Sequence, residues 1–216
     1  MNVMVMYDRE TDSLWSQLLG QAVQGPLKGT RLTFVESLQT SWAEWKTLYP
    51  DTLALQKDYR GSRDSYTGYY ESGSAGVLGE SRRDERLYVK EFVVGVALGD
   101  EAKAYPFGQL NTEPVVNDVV NGQPVLVVFD PDSATAAVYS RQVDGRELSF
   151  ALSTPGGLDQ ATLVDAETGT TWAAFTGEGL SGPLARRELE RIKSTSSFWF
   201  GWKDWYPETQ VYGLDG

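Results

Sequence analysis

The sequence predicts a β-rich α+β fold: an antiparallel meander with short helices, in which two related rear-half units surround one front-half sheet. Three observations carry this prediction. Two tight-turn pairs, Asn121-Gly122 and Asp144-Gly145, separate runs of apolar and β-branched residues. Segments 8–52 and 165–209 align without a gap at a constant offset of 157 residues. Each of these segments ends in a short tryptophan-rich stretch of helical character.

The meander is predicted over residues 91–151, which we call the front half. Asn and Gly tolerate the positive φ of a type I′ turn, so Asn121-Gly122 predicts a hairpin. Asp144-Gly145 likewise predicts that residues 134–141 pair with residues 146–151. Together with the apolar run at 92–98, these segments predict about six antiparallel strands.

The repeated segments are the core of what we call the first and second rear halves. Sixteen of the 45 aligned positions are identical, which indicates a duplication. Strands are expected at residues 3–7 and 161–164, and each GPL triplet is expected to be a turn before another strand. Helices are expected at residues 41–48 and 198–205, each ended by a proline. Six of the seven tryptophans form matched pairs: Trp15/Trp172, Trp42/Trp199 and Trp45/Trp202.

Three parts are expected within one compact body. Residues 1–56 form the rear half of a first unit, and residues 57–90 form a long polar loop. Residues 91–216 form a complete second unit, with front half 91–151 and rear half 152–216. Because no front half precedes the first rear half, we expect the chain to be shortened at its N-terminus.

Composition excludes several classes of function. The chain has no Cys and no His, so disulfides, thiol catalysis and Ser-His-Asp catalysis are excluded within it. A net charge of −11 argues against nucleic-acid binding. No apolar run is long enough for a transmembrane segment, and no signal peptide opens the chain. No cofactor and no metal are expected, and the catalytic residues, if any, are unknown.

The corner Asp130-Pro131-Asp132-Ser133 follows a strongly apolar strand and is the first candidate binding site. Asp132 and Ser133 are typical of turns, because their side chains bond nearby backbone groups. The alternative is a site for a hard cation such as calcium, although further carboxylate ligands are lacking. We favour the turn.

Aromatic residues supply the other candidate binding positions. Trp205 has no counterpart in the first rear half, where Leu48 stands, so it is the tryptophan to test for a surface role. Tyr66 and Tyr69 lie in the long loop. Tyrosine-rich loops form adaptable binding surfaces, whereas the alternative is that these rings anchor the loop to the body.

Five stretches resemble the prokaryotic family known as domain of unknown function 3179. They are MYDRETDSLWSQLLGQAVQGPLKGTRL, TSWAEWKTLYPDTL, VVGVALGDEAKAYPF, VVNDVVNGQPVLVVFD and FWFGWKDWYPETQVYG. The resemblance implies an often exported protein with a Cys-Pro-x-Cys motif after a front-half strand. This chain departs from that pattern, because Asp130 and Ser133 occupy the cysteine places. The corner is therefore expected to be a non-reactive duplicate.

Three functions are compatible with these observations. The first is a non-catalytic β-rich structural or ligand-binding module. The second is a fragment of a thiol or selenol redox or metal-binding protein whose cysteine motif lies upstream. The third is a carboxylate-based carbohydrate-active enzyme. Because a front half is missing, we expect an exposed apolar patch near residues 14–35 that drives dimerisation or aggregation. The expected partners are a second copy of the chain or a missing N-terminal half. The small ligand and the localisation are unknown.

Overall fold

A computed structural model describes residues 4–35, 37–56, 66–76 and 79–215. The elements of the first rear half are β1 (Val5–Tyr7), β2 (Leu14–Ser16), β3 (Gln21–Gln24) and α1 (Trp42–Leu48). Next come α2 (Thr67–Glu71), β4 (Phe92–Leu98), β5 (Glu101–Pro106), α3 (Phe107–Leu110), β6 (Val115–Val120), β7 (Gln123–Asp130), β8 (Thr135–Ser140), β9 (Gln142–Val143) and β10 (Arg146–Glu147). The remainder are β11 (Phe150–Thr154), β12 (Thr162–Asp165), β13 (Thr171–Ala173), β14 (Gly179–Ser181), β15 (Ser194–Phe198), α4 (Trp199–Trp205) and β16 (Gln210–Val211).

The strands form small sheets that are antiparallel apart from one edge. The sheet orders are β1-β2-β3, β15-β4-β5-β16, β6-β7-β8, β11-β12-β13-β14 and the ribbon β9-β10. Only the pairing of β16 with β5 is parallel among the described strands. The predicted β-rich α+β class is therefore confirmed.

The meander is divided among several sheets, which corrects the predicted pairing of residues 134–141 with 146–151. Only β9 and β10 pair across Asp144-Gly145, while β11 joins β12 of the second rear half. The cause is burial, because Leu148 and Phe150 enter the core around Trp172. Asn117 reinforces this placement, since its side-chain amide both donates to and accepts from the backbone of Phe150 at 2.8 Å.

Both predicted tight turns have the expected backbone. Asn121 and Gly122 have φ of 49° and 72°, and Asp144 and Gly145 have φ of 49° and 77°. Positive φ at both central positions is the type I′ geometry, which suits the right-handed twist of the paired strands. The β6–β7 hairpin is therefore fixed in register by local sequence.

Three apolar clusters form the core. The first joins β7 and β8 to the second rear half, and the second fills the space between the sheets of β4–β5 and β6–β8. The third joins α4 to β4, β5 and β16. Representative fully buried members are Leu126, Tyr139 and Trp172 in the first cluster, Val94, Tyr105 and Val127 in the second, and Val93, Trp199 and Trp202 in the third.

The two rear halves fold alike in their sheets. Strands β1-β2-β3 and β12-β13-β14 are both antiparallel meanders, with Trp15 opposite Ala22 and Trp172 opposite Gly179. The glycine of each GPL triplet has a positive φ, 95° at Gly25 and 105° at the equivalent position of the second copy. A side chain there would meet the neighbouring strand's backbone at 2.7 Å, which explains why both copies carry glycine.

The helices predicted in the two rear halves are confirmed as α1 and α4, each starting one residue later than expected. Ser41 caps α1, since its hydroxyl accepts from the backbone N–H of Glu44 at 3.2 Å. The GPL turns lead only to isolated bridges, Gln21 with Arg31 and Glu178 with Glu188, in place of the strands expected after them.

The polar segment 57–90 lies partly outside the described residues, at 57–65 and 77–78. Its described part contains the short helix α2, which the polar composition did not predict. Further along, the side chains of Asp204 and Lys203 hold this segment to α4. Asp204 accepts from the backbone of Ser81 at 2.9 Å, and Lys203 pairs with Glu80 at 2.8 Å.

Candidate binding site

An open groove lies where the first rear half meets the second rear half and the front half. We call it the edge groove, because strand β15 forms one of its walls. Its larger compartment has a volume of about 690 Å³, and an adjoining compartment of about 300 Å³ shares several lining residues. The shared residues are Gln17, Leu18, Phe34, Ser37, Ala136, Ser194 and Thr195.

The polar wall of the edge groove is strand β15, with sequence Ser-Thr-Ser-Ser-Phe. It is the outer strand of its sheet, and among the described strands it pairs with β4 alone, through Ser194 opposite Val96 and Phe198 opposite Phe92. Its hydroxyls offer short, uncharged donors and acceptors to a ligand. The wall therefore suits a neutral polar ligand or a polypeptide backbone.

An aromatic cluster closes one end of the edge groove. Phe198 lies at its centre, with its ring centroid 4.4 Å from that of Phe92 and 5.8 Å from that of Phe200. Tyr69 and Tyr70 approach the same ring at 6.2 and 5.9 Å. Such edge and offset contacts are favourable and leave ring faces for apolar groups of a ligand.

Lys90 holds Tyr69 and the C-terminal end of α2 in place. Its buried ammonium donates to the Tyr69 carbonyl and, at 2.7 Å, to the Ser72 carbonyl, and it lies 4.0 Å from the centroid of the Tyr69 ring. Burial and the neighbouring Tyr70 raise the pKa of the Tyr69 hydroxyl. Tyr69 therefore both anchors its helix and lines the groove, while Tyr66 is exposed at the start of α2 and is not among the groove residues.

The candidate corner at Asp130 is a closed turn in the described structure. Asp130 is buried and accepts from the backbone N–H groups of Asp132 at 3.2 Å and Ser133 at 3.3 Å. The Ser133 hydroxyl also donates to Asp130 and lies 2.7 Å from the Thr135 hydroxyl. These contacts occupy both carboxylate oxygens, so the corner turns the chain.

The same turn occurs three times in the described chain, each time as Asp-x-x-Ser/Thr-x-Ser/Thr. In all three, the carboxylate accepts from the backbone and hydroxyl three residues later. The residue after that hydroxyl has positive φ: 53° at Asp12, 53° at Ala134 and 69° at Gly169. The sequence pattern was available for prediction, but its recurrence in the front half became evident only from the geometry.

In the two rear halves the turn carboxylate also accepts from a tryptophan. Trp15 Nε1 donates to Asp8 Oδ2, and Trp172 Nε1 donates to Asp165 Oδ2, both at 2.9 Å. The bond from Trp15, supported by the Thr11 backbone, lowers the pKa of Asp8 from 3.8 to about 2. Burial raises the pKa of Asp165, but the bonds from Trp172 and Thr168 outweigh it, so the net shift is downward.

These depressed pKa values predict acid sensitivity. A carboxylate whose pKa is lower in the folded state stabilises the fold above its unfolded pKa, and this contribution disappears as pH falls through the folded pKa. We therefore expect the melting temperature to fall as the pH drops from about 4 towards about 2, where Asp8 becomes protonated, and the lowered pKa of Asp165 acts in the same direction. Differential scanning calorimetry across this range measures how steeply the melting temperature falls with pH. The variant Asp165→Asn should make this fall less steep. A wild-type melting temperature that stays constant there would contradict the assignment.

Another ionisable cluster links β5 to β6 outside the edge groove. Lys103 Nζ lies 2.7 Å from Asp118 Oδ2, and the Tyr105 hydroxyl donates to the same oxygen at 3.0 Å. Burial, with the adjacent Asp118 charge, strongly raises the pKa of Tyr105, so its proton stays in place. The cluster therefore ties two sheets together, as expected of a satisfied buried polar network.

The two rear-half helices have the same internal geometry. Trp45 Nε1 donates to Thr52 Oγ1 at 3.0 Å, and Trp202 Nε1 donates to Thr209 Oγ1 at 2.9 Å. Each of these indoles packs on a tyrosine at an interplanar angle of 38°. The matched helices therefore present equivalent aromatic faces.

The environments of these faces differ. Trp199 and Trp202 are fully buried, and Trp202 lies against Gly95 of β4, where a side chain would come within 2.2 Å of the indole. Helix α1 has no buried residue, and Trp42 is 50% exposed. We call the side of α1 that carries Trp42, Trp45 and Tyr49 its outer face. Its other side meets the body through Leu48 and through Glu44, which accepts from the Leu158 N–H at 3.0 Å.

Trp205 is partly buried at the end of α4, and its indole N–H has no hydrogen-bond acceptor among the described residues. It does not line the edge groove. Of the positions singled out from sequence, the edge groove includes only Tyr69. The groove residues Leu18, Phe34 and β15 were missed, because Ser-Thr-Ser-Ser lacks any apolar alternation that would indicate a strand.

No group of three or more acidic residues within residues 4–35, 37–56, 66–76 and 79–215 is placed to hold a metal ion. In the same described part of the chain, helices of a length and apolarity sufficient to cross a bilayer are lacking.

Comparison with known proteins assigns the chain to a family. The family model described as "Protein of unknown function (DUF3179)" matches residues 1–209. The chain belongs to this family. No curated protein and no solved structure matches the chain.

Proposed function

We propose that this chain is a non-catalytic, β-rich binding module that works by packing the outer face of α1 against another polypeptide. One observation carries the proposal: the second rear half buries the equivalent face, whereas the first rear half exposes it. Trp199 is 0% exposed and its counterpart Trp42 is 50% exposed. A duplicated aromatic face that keeps its geometry without a partner has the character of an interface.

In the second rear half, the equivalent face packs against a sheet of the same chain, and this packing supports an expectation about the partner of α1. Trp199 and Trp202 pack on Val93, Ala104 and Val211 of the sheet β15-β4-β5-β16. Glycine at position 95 lets the indole of Trp202 approach the backbone of β4. The partner expected for α1 is therefore an apolar sheet surface with a small residue on its central strand.

The first rear half also carries most of the exposed large apolar side chains of the described chain. Twelve of the nineteen exposed large hydrophobic residues in the described chain lie between positions 4 and 55. They are Met4, Val5, Met6, Tyr7, Val23, Leu32, Phe34, Val35, Trp42, Tyr49, Leu53 and Leu55. Concentration of apolar surface on one part of a protein is typical of interaction sites.

The chemistry of the chain supports a non-catalytic role. It has no Cys or His, the side chains most often used as nucleophile and general base. The carboxylates of Asp8, Asp130 and Asp165 accept hydrogen bonds inside turns. A carboxylate engaged in this way positions the backbone and is unsuited to proton transfer.

Self-association of the purified chain tests the proposal. Without another partner, two copies should bury the exposed face against each other, so we expect dimers in sedimentation velocity at micromolar concentrations. The double variant Trp42→Glu/Tyr49→Glu should be monomeric, because charges at these positions would be desolvated in the interface.

The matched control is Leu180→Glu, which charges an equally exposed residue of the second rear half. It should dimerise like the wild type. A wild-type chain that stays monomeric throughout, or a double variant that dimerises as well as the wild type, would contradict the proposed interface.

A further inference from the structure

We infer that the free edge of β15 binds an extended polypeptide segment, which adds to the sheet as a further antiparallel or parallel strand within the edge groove. This site is separate from the outer face of α1. It rests on the direction of the backbone groups of β15, on the continuation of the same edge into β8, and on the composition of the groove.

The register of β15 defines which of its backbone groups point outward. Trp199 N–H donates to the Glu91 carbonyl at 2.8 Å, which makes that opposed pair a hydrogen-bonded one. Hydrogen-bonded and non-bonded pairs alternate along an antiparallel ladder. The pairs of Ser197 and Thr195 with β4 are therefore bonded, and the N–H and C=O groups of Ser194, Ser196 and Phe198 point away from β4.

These outward groups have no backbone partner among the described residues. An unpaired edge commonly binds another strand unless it is short, charged or interrupted by proline. Strand β15 has five residues, with neither a charged residue nor a proline. A segment of about five residues, spanning roughly 17 Å, would match it.

The chain already adds a strand to the adjoining edge. Ile192 N–H donates to the Val138 carbonyl at 2.9 Å, and Ser140 N–H donates to the Glu190 carbonyl at 2.8 Å, so residues 190–192 pair with the outer edge of β8. By the same alternation, the backbone N–H and C=O groups of Ala136 point away from β7. Ala136 also lines the edge groove, as Ser194 does. The unpaired edge of β15 therefore lies beside an edge of β8 that residues 190–192 of the same chain already cover.

The groove beside β15 has a volume of about 690 Å³ in its larger compartment, and apolar and aromatic side chains line both of its ends. Leu18 and Phe34 lie at one end, and Tyr70, Phe198 and Phe200 lie at the other. Alternate apolar residues of a bound segment would contact these side chains, as in other complexes formed by strand addition.

Charge selects among possible segments. Arg191 and Lys193 line the smaller compartment, and among the described residues no Asp or Glu lines either compartment, although the chain carries a net charge of −11. A cationic peptide would be repelled by these two positively charged side chains. The expected occupant is therefore an apolar, β-forming segment flanked by neutral or acidic residues.

A synthetic peptide provides the probe. It carries the β4 sequence FVVGVAL, which already pairs with the inner edge of β15, with two glutamates at each end for solubility. Binding is measured by isothermal titration calorimetry with the full chain. The matched control peptide has the same side chains but N-methylated amides at alternate residues, so it lacks half of the donors. We expect the first peptide to bind and the methylated peptide to bind at least about tenfold more weakly.

Protein variants locate the site. Ser196→Pro removes an outward N–H that β4 does not use, and it should weaken binding roughly tenfold or more. Ser196→Ala removes only the hydroxyl and should bind the peptide. Calorimetric melting establishes that each variant is folded, and Ser194→Pro supplies a second outward position if Ser196→Pro does not fold.

Absence of binding to the wild type would overturn the inference, and so would undiminished binding by folded proline variants. The double variant Trp42→Glu/Tyr49→Glu separates this inference from the proposed function. It should bind the peptide although it no longer dimerises. If dimerisation and peptide binding were lost together in this variant, the two sites would not be independent and the present assignment would be wrong.

Discussion

Trp202→Ala is expected to lower the free energy of unfolding by about 3–5 kcal/mol, the range for removing a fully buried large aromatic side chain. The indole packs on β4 at Gly95, and it donates to Thr209 at 2.9 Å. Its loss leaves a cavity between α4 and the sheet and removes the donor that the Thr209 hydroxyl accepts from. Chemical denaturation followed by circular dichroism measures the change.

The matched control is Trp45→Ala, which removes the equivalent residue of the first rear half. Trp45 is only partly buried and lies on a helix without buried residues. We expect a loss of about 1–2 kcal/mol, in proportion to the smaller apolar area removed from water. Equal losses in the two variants would show that α1 is packed as closely as α4.

Arg141→Met is expected to lower the free energy of unfolding by about 4 kcal/mol, because three backbone carbonyls lose a charged donor. The buried guanidinium donates to Leu148 at 2.7 Å, Val125 at 3.1 Å and Asp118 at 3.2 Å. It therefore connects β6, β7 and the segment before β11. Methionine fills much of the volume but cannot satisfy these oxygens.

Arg141→Lys separates charge from geometry. Lysine retains the positive charge near Glu147, yet a single ammonium cannot reach the three carbonyls that the planar guanidinium reaches. We expect most of the loss to persist in this variant. A fully stable Arg141→Lys chain would assign the stabilisation to charge alone.

The features predicted well were those encoded locally. Asn121-Gly122 and Asp144-Gly145 form the expected turns, since only residues that tolerate positive φ suit them. The duplicated tryptophans predicted two matched helices, and the matched contacts of Trp45 and Trp202 bear this out.

The features missed depend on tertiary pairing. Strand β15 reads as a polar loop, and it becomes a strand because β4 offers it a partner. The equivalent residues of the first rear half, Ser37 to Ser41, form no strand in the described structure. Two copies of one segment thus differ through their neighbours, which a single-sequence pattern does not contain.

The candidate corner illustrates a partial success. Turn chemistry was favoured at Asp130 from sequence, and the described hydrogen bonds form such a turn. The aromatic candidates were harder to predict, because exposure decides their role. Tyr69 reaches the edge groove through the anchoring of α2 by Lys90, a contact across 21 residues of sequence.

Site-resolved amide hydrogen exchange of the wild-type chain tests most directly whether the first rear half lacks a partner. Amides of α1 should exchange by local opening, with protection far below that of the α4 amides, whose helix is buried against the sheet. In dilute monomeric samples the two helices should therefore differ by several orders of magnitude in protection. Equal protection of Trp42–Leu48 and Trp199–Trp205 under those conditions would contradict the account.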